Sequence, residues 1–427
     1  MAEEPFLADD LLRQLMSVGE VDLLVGVACH SSAEAMRQTL HAIQQSFQQN
    51  FIRQRVVIVS IDGGNRDDAK SSAADLDDLA GSSGRPGLSS LRTVHQVTAG
   101  FAAPPSPGMA LRTILASADL LRAKAAALVS PGVSSLTPEW IANLLRPIYR
   151  ENFDFVAPLY TRNKFQGLLA RTLLYPMSRA LFGRRIRELY SDEWGFSGRL
   201  GALCLNQDVW HEEAVRSRPE AWMALSAIAA DFRCCQAFLG PKSQPQSGST
   251  DIVEILRQTV GTLFWCLESQ QASWMDREGS EAVPTIGPDH ELSADPFDVN
   301  RTRIFEMFQT GVKDLEPLLH SILSRETLSE IQKIAAREPA TFSFDASLWV
   351  RTLYDFASSY HHAVINRDHL VQALVPLYRG KIYSFLLHHA ESTAEEMEID
   401  NEQLCLEFER QKPYLKEKWN EKVEVKS

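Results

Sequence analysis

The chain reads as an α/β protein with a mainly parallel sheet, followed by a helical C-terminal region. Three observations predict this. Two short apolar runs, Asp22 to Ala28 (DLLVGVA) and Val56 to Ile61 (VVIVSI), have the length and branched content of buried strands. Met36, Leu40, Ile43 and Phe47 recur between them at helical spacing, and strands alternating with helices imply a layered, largely parallel sheet. From about Val299 onward only helical periodicity remains: Ile304, Phe308, Val312, Leu315, Leu319 and Ile322 make one apolar stripe.

Each element has a local cause. Ser31-Ser32-Ala33-Glu34 has the pattern of a capping box at the start of the first long helix. The second strand stops at Asp62-Gly63-Gly64-Asn65, a turn sequence. Residues 69–92 are rich in Ser, Gly and Asp, without a strong period. Ala110, Ile114, Ala118 and Leu121 predict a helix, and Ala125 to Val129 a strand. Thr137-Pro138-Glu139 combines a capping hydroxyl, a first-turn proline and an acid near the positive helix end. Phe155 to Leu159 is the next strand. Pro241 to Thr250 reads as a polar linker, so two domains are expected, 1–250 and 251–427. In such a sheet ligands bind beyond the carboxyl ends of the strands. The informative residues are then those just after Ala28, Ile61 and Val129.

Composition narrows the function. The 427 residues are 44% hydrophobic and 23% charged, enough apolar material for a large core. Fifty-five acids against 43 bases give a net charge of −12, which argues against a nucleic-acid partner. The six cysteines form no CxxC pair, which excludes zinc ribbons and dense disulfide frameworks. The adjacent Cys234 and Cys235 read as packing. The acidic N-terminus lacks the features of a signal peptide, and no run approaches the ~18 apolar residues of a membrane span. A cytoplasmic protein without a membrane span is the expectation.

Familiar motifs are missing. No GxGxxG follows a strand, there is no GxxxxGK[ST], and His211-Glu212-Glu213 lacks the second His of HExxH. The pairs His361-His362 and His388-His389 fall in helical sequence, where adjacent side chains diverge by about 100° and make a poor chelate. Residues 391–410, with eight acids and one base, read as a solvated helix face or a frayed tail. Between Thr161 and Arg187 lie Arg162, Lys164, Arg171, Arg179, Arg184, Arg185 and Arg187, with no acid. Arginine forks match carboxylate and phosphate oxygens. The segment is either a basic surface paired with acids elsewhere or an anion pocket.

Laid in order, the pieces carry a resemblance. VVIVSIDGGNRDD, SPGMALRTILASADLL, AAALV, SSLTPEWI, DFVAPLYTRNKFQG, YPMSRALFGRR, WGFSGRL and WMALSAIAADFRCCQAFLGPK follow one another. The later YDFASSYHHAVINRDHLVQALVPLYRGKIYSF belongs to the same series, which spans roughly residues 20–390. The series resembles glycosyltransferases of the GT-A fold, in the group of glucosyl-3-phosphoglycerate and mannosylglycerate synthases. The resemblance implies a retaining sugar transfer from a nucleotide-sugar to a small carboxylate- or phosphate-bearing acceptor. It implies nucleotide contacts at Ala28, Cys29, His30, Glu34, Asp62, Gly108 and Ser130. It puts the acceptor beside Arg162, Lys164, Arg184, Arg185, Gly195, Phe196 and Ser197, and Glu220 at the reacting sugar as the catalytic candidate. A homo-oligomer is left open.

The chain departs from that pattern where a metal would sit. The Asp-x-Asp positions hold Ser130, Pro131 and Gly132, and the metal-binding His falls at Gln244. The lysine of the phosphate loop falls at Pro107, and the GGxFG acceptor loop reads Ser191-Asp192-Glu193-Trp194-Gly195. Hydroxyl, amide and proline do not replace two carboxylates and an imidazole. The expectation is no tightly bound cofactor and at most weak Mg²⁺ or Mn²⁺ held through a nucleotide diphosphate. Two functions stay open: an active glycosyltransferase, or a noncatalytic relative that binds a nucleotide-sugar or a protein.

Overall fold

The computed structural model describes residues 7–28, 33–62, 94–101, 103–162, 164–243, 251–287 and 301–421. The chain forms two compact units that alternate along the sequence. The first takes residues 1–161, 191–247 and 284–290; the second takes 162–190, 248–283 and 291–427. Residues 162–190, which precede the expected boundary at 250, cluster with the second unit.

The first unit is built on an eight-stranded sheet. Its strands are β1 (Leu23–Ala28), β2 (Val56–Asp62), β3 (His95–Gly100), β4 (Ala125–Val129), β5 (Phe155–Thr161), β7 (Trp194–Ser197), β8 (Cys234–Pro241) and β10 (Thr285–Ile286). The short β6 (Arg184–Arg185) and β9 (Glu281–Ala282) pair with each other in the second unit. The sheet order is β3-β2-β1-β4-β7-β5-β8-β10. Only β7 runs against its neighbours β4 and β5; the other pairings are parallel. The expected α/β class, with a mainly parallel sheet and a helical C-terminal region, is what the structure has.

Both faces of the sheet are covered, which is why its strands lack polar alternation. Leu40, Ile43 and Phe47 of the helix Ala33–Asn50 meet Trp140, Ile141, Leu144 and Leu145 of the helix Pro138–Glu151 over one face. On the other, the helix Pro107–Leu120 presses Ile114 onto β1 at Gly26, where an added Cβ would come within 2.6 Å of it. Thr137 precedes the helix Pro138–Glu151 as expected, but its hydroxyl makes no capping bond. Ser31 and Ser32 lie outside the described residues. The sheet order turns outward on both sides of β1, to β2 and to β4. That makes the carboxyl edge around β1 and β4 the switch point where a crevice opens. The antiparallel β7 brings its leading residues to the same edge, because Trp194 pairs with Leu128.

The second unit is helical. The stripe from Ile304 to Ile322 runs over two helices, Arg301–Asp314 and Glu316–Ile322, because Pro317 has no N–H with which to continue the first. Two other expectations are corrected. The acidic run is neither frayed nor merely solvated. It belongs to the helix Ala394–Asn420, which opens with a capping box from Thr393 to Glu396. The pair His388-His389 does not diverge: His389 is the residue that leaves the helix Arg367–His388, and both rings come to Asp400. The other pair packs as expected, with His361 stacked 4.2 Å from the Trp419 ring.

The acidic helix answers the basic segment. Arg179, fully buried, donates to Glu402 and Glu409. Arg171 and Arg187 pair with Glu398 at 3.5 and 2.7 Å. A buried arginine is tolerated only when its donors are taken up this way.

Candidate functional site

The carboxyl edge of the sheet gathers five polar side chains from three places in the sequence. Tyr160 comes from the end of β5, Ser191, Asp192 and Glu193 from the residues leading into β7, and Lys242 from just beyond β8. Glu193 is completely buried. One of its carboxylate oxygens, Oε2, accepts from the Tyr160 hydroxyl at 2.5 Å, the Lys242 ammonium at 2.6 Å and the Ser191 hydroxyl at 3.1 Å. The other, Oε1, is buried with no hydrogen-bond partner among the described residues. Lys242 also stands 3.8 Å from Asp192 and 5.1 Å from the centre of the Tyr160 ring. Sequence reading placed Lys242 in a polar linker. Its long side chain instead turns back to Glu193 and is only 10% exposed.

Glu220 lies at the start of the helix Pro219–Ala229 and is buried. Burial pushes its carboxyl up to about 7; the Arg218 guanidinium opposes the rise and the nearby Asp192 adds to it. Arg218 donates to Glu220 at 3.3 Å, while its Nε is buried without a partner among the described residues. Near pH 7 this carboxyl is about half protonated, so it cancels the Arg218 charge only in part. A buried carboxyl raised in this way, beside a second acid and a cation, makes this a candidate functional site.

The corner where the resemblance puts a metal is closed by hydrogen bonds. Gly132 has φ of +92°, a backbone that disfavours any side chain. Ser134 donates to the Ser243 carbonyl from its N–H at 3.0 Å and its hydroxyl at 3.2 Å, and the Ser243 N–H donates to Ser135 Oγ at 3.0 Å. Gln244 lies outside the described residues. Among the described residues, Asp192 has the Lys242 ammonium against it and Glu193 is held by the same ammonium. These two acids alone do not supply the several free carboxylate oxygens that a divalent cation takes.

The other expected residues take varied places. Cys29 and His30 lie outside the described residues; Ala28 and Asp62 end β1 and β2 at the carboxyl edge, and their side chains are not among those described. Glu34 is exposed and held by Arg37 and Gln38 of its own helix at 2.6 and 2.8 Å. Ser130 follows β4 at the edge. Gly108 is packing: an added Cβ would sit 2.5 Å from the Val215 carbonyl oxygen. Gly195, Phe196 and Ser197 are core strand. The Ser197 hydroxyl accepts from the Leu200 N–H and donates to Asp154. At Gly195 a Cβ would press on the Leu144 carbonyl and lie 3.0 Å from Ile148. Gly195→Ala is therefore expected to cost about 2–3 kcal/mol by overpacking, read as a lower urea midpoint with an unchanged m-value.

In the second unit the expected acceptor cations are engaged within that unit. Arg162 forks onto Glu188 at 2.6 and 2.9 Å. Lys164 donates to the carbonyls of Ala390 and Ser392. Arg184 pairs with Glu281, and Arg185 donates to Ser280 at 3.0 Å. Arg162, Arg171, Arg179, Arg184 and Arg187 thus meet acids, as the first of the two readings has it, whereas Lys164 and Arg185 meet carbonyls and a hydroxyl.

No family model matches the chain, and no curated protein matches it. Among solved structures it is similar to glucosyl-3-phosphoglycerate synthase from Mycobacterium tuberculosis. The complex with Mn²⁺, UDP-glucose and phosphoglyceric acid matches with a TM-score of 0.38 and 13% identity, over 64% of this chain and 86% of that one. The complex with Mn²⁺ and UDP-glucose gives 0.40 and 14%, over 63% and 84%. The complex with phosphoglyceric acid alone gives 0.38 and 14%, over 63% and 85%.

Proposed function

We propose that the first unit binds a nucleotide-sugar at the carboxyl edge of its sheet and transfers the sugar, with retention, to a small acidic acceptor. The observation that carries this reading is Glu220, a buried carboxyl raised to about 7 beside Asp192 and Arg218. The ordered resemblance along the sequence names the chemistry. The charge that a leaving diphosphate needs comes from the protein itself, from Arg218, whose Nε has no partner among the described residues. Glu220 faces the reacting sugar. With its carboxyl near 7 it is about half protonated at neutral pH, so it can take up and give up a proton there, which glutamine cannot. Asp62, at the end of β2, contacts the base or ribose.

Turnover of UDP- and GDP-sugars by the parent, Glu220→Gln and Asp62→Asn separates these roles. Asp62→Asn is expected to weaken nucleotide binding. Glu220→Gln is expected to leave nucleotide affinity within about threefold and to lower the transfer rate at least tenfold, which is about 1.4 kcal/mol of barrier. Equal rates in parent and Glu220→Gln would remove Glu220 from the chemistry.

Two observations favour a second reading, a noncatalytic nucleotide-sugar-binding relative. Ser134, Ser135 and Ser243 hydrogen-bond to one another where the resemblance puts the metal, and two of the expected acceptor cations, Arg162 and Arg184, are ion-paired. Binding of a nucleotide-sugar without any product would establish it.

A further inference from the structure

The two histidines that close the helix Arg367–His388 meet an acid from the next helix, and they have no part in the proposed transfer. His388 Nε2 lies 3.2 Å and His389 Nε2 3.8 Å from the same oxygen of Asp400, Oδ2. The three donor atoms all fall within 4.8 Å of one another. Bonds of about 2.0–2.1 Å around a tetrahedral ion give donor–donor edges of roughly 3.3 Å. The 3.2 Å edge, a hydrogen bond in the metal-free chain, matches that length, and the 3.8 Å edge would contract on binding.

The surroundings orient the ligands. His389 is buried, and its Nδ1 lies 3.3 Å from the Ser392 hydroxyl, which leaves Nε2 as the atom turned to Asp400. A second partner that fixes the ring in this way is characteristic of metal-bound histidine. The exposed His388 and Asp400 leave one side open to solvent, where water completes the coordination. Three ligands on two helices also tie the end of Arg367–His388 to the start of Ala394–Asn420.

We propose that His388, His389 and Asp400 form a binding site for a divalent transition-metal ion of the zinc or nickel type. Two imidazoles and one carboxylate suit these ions, whereas Mg²⁺ and Ca²⁺ call for all-oxygen sets. The Lys164 ammonium, which holds the carbonyls of Ala390 and Ser392 in the connecting turn, repels any dication, so the two imidazoles must supply the affinity. Binding at this position staples the last helix in place.

The test is calorimetric titration of the intact, chelator-stripped chain with ZnCl₂, NiCl₂ and MgCl₂. One Zn²⁺ per chain, in the micromolar range or tighter, is expected, with Ni²⁺ binding and Mg²⁺ not. His388→Ala and Asp400→Asn alter exposed side chains and are each expected to weaken Zn²⁺ at least about tenfold. Their metal-free melting temperatures are expected to stay at the parent's value, and Zn²⁺ to raise the melting temperature of the parent more than theirs. No Zn²⁺ binding by the parent, or equal binding by parent and both variants, overturns the site.

Discussion

Lys242→Met is expected to lower the stability of the chain by about 3–5 kcal/mol, because it strands a charge. Glu193 is fully buried, and Lys242 is the cation that meets it. Methionine keeps the length and apolar character of the stem but removes the ammonium. Among the described residues the carboxylate then keeps the Tyr160 and Ser191 hydroxyls. Glu193→Gln in the same chain removes the stranded charge, so the double variant is expected to recover most of the loss. Urea unfolding of parent, both single variants and the double variant closes a cycle with a coupling of a few kcal/mol. Additive effects would mean that the two groups do not depend on each other.

The second large effect depends on pH and comes from Glu220. Its carboxyl is raised by burial from 4.5 to about 7. Between those values the folded chain holds a proton that the unfolded chain has released, so stability contributed by the protonated form falls as pH rises through the window. Below about 4.5 both states are protonated and the contribution is complete; above about 7 it is gone. The loss across the window is on the order of 3 kcal/mol. Glu220→Gln carries no proton to lose, so its urea midpoint is expected to fall less than the parent's between pH 5 and pH 8. Parallel profiles for parent and variant would contradict the raised carboxyl.

The strands that could be read from sequence are those buried on both faces. β4 is five apolar residues with every side chain buried, and β1 and β2 are similar runs. β3, HQVTAG, escaped because it is an edge strand with only Val97 and Ala99 buried. β7 has four residues, too few for any period to show. The same physics explains the site. Asp62, at the end of a legible strand, could be placed from the pattern alone, whereas Glu220 needed the resemblance. Glu193 and Lys242 come from loops that no periodicity governs, and Tyr160 is the last but one residue of β5. One signal was present: an acid directly before the apolar Trp194-Gly195-Phe196 has little room to reach water once that run enters a sheet. The pairing of the basic segment was visible only as complementary charge, since Arg179 and Glu402 are 223 residues apart.

The proposed nucleotide-sugar site works without a resident metal, and the affinities for UDP- and GDP-sugars measured with Mn²⁺ and again with a chelator test this. The account predicts binding in both conditions, with affinities that differ less than tenfold, a coupling below about 1.4 kcal/mol. An affinity that rises tenfold or more with Mn²⁺, or no binding of any nucleotide-sugar in either condition, would contradict it.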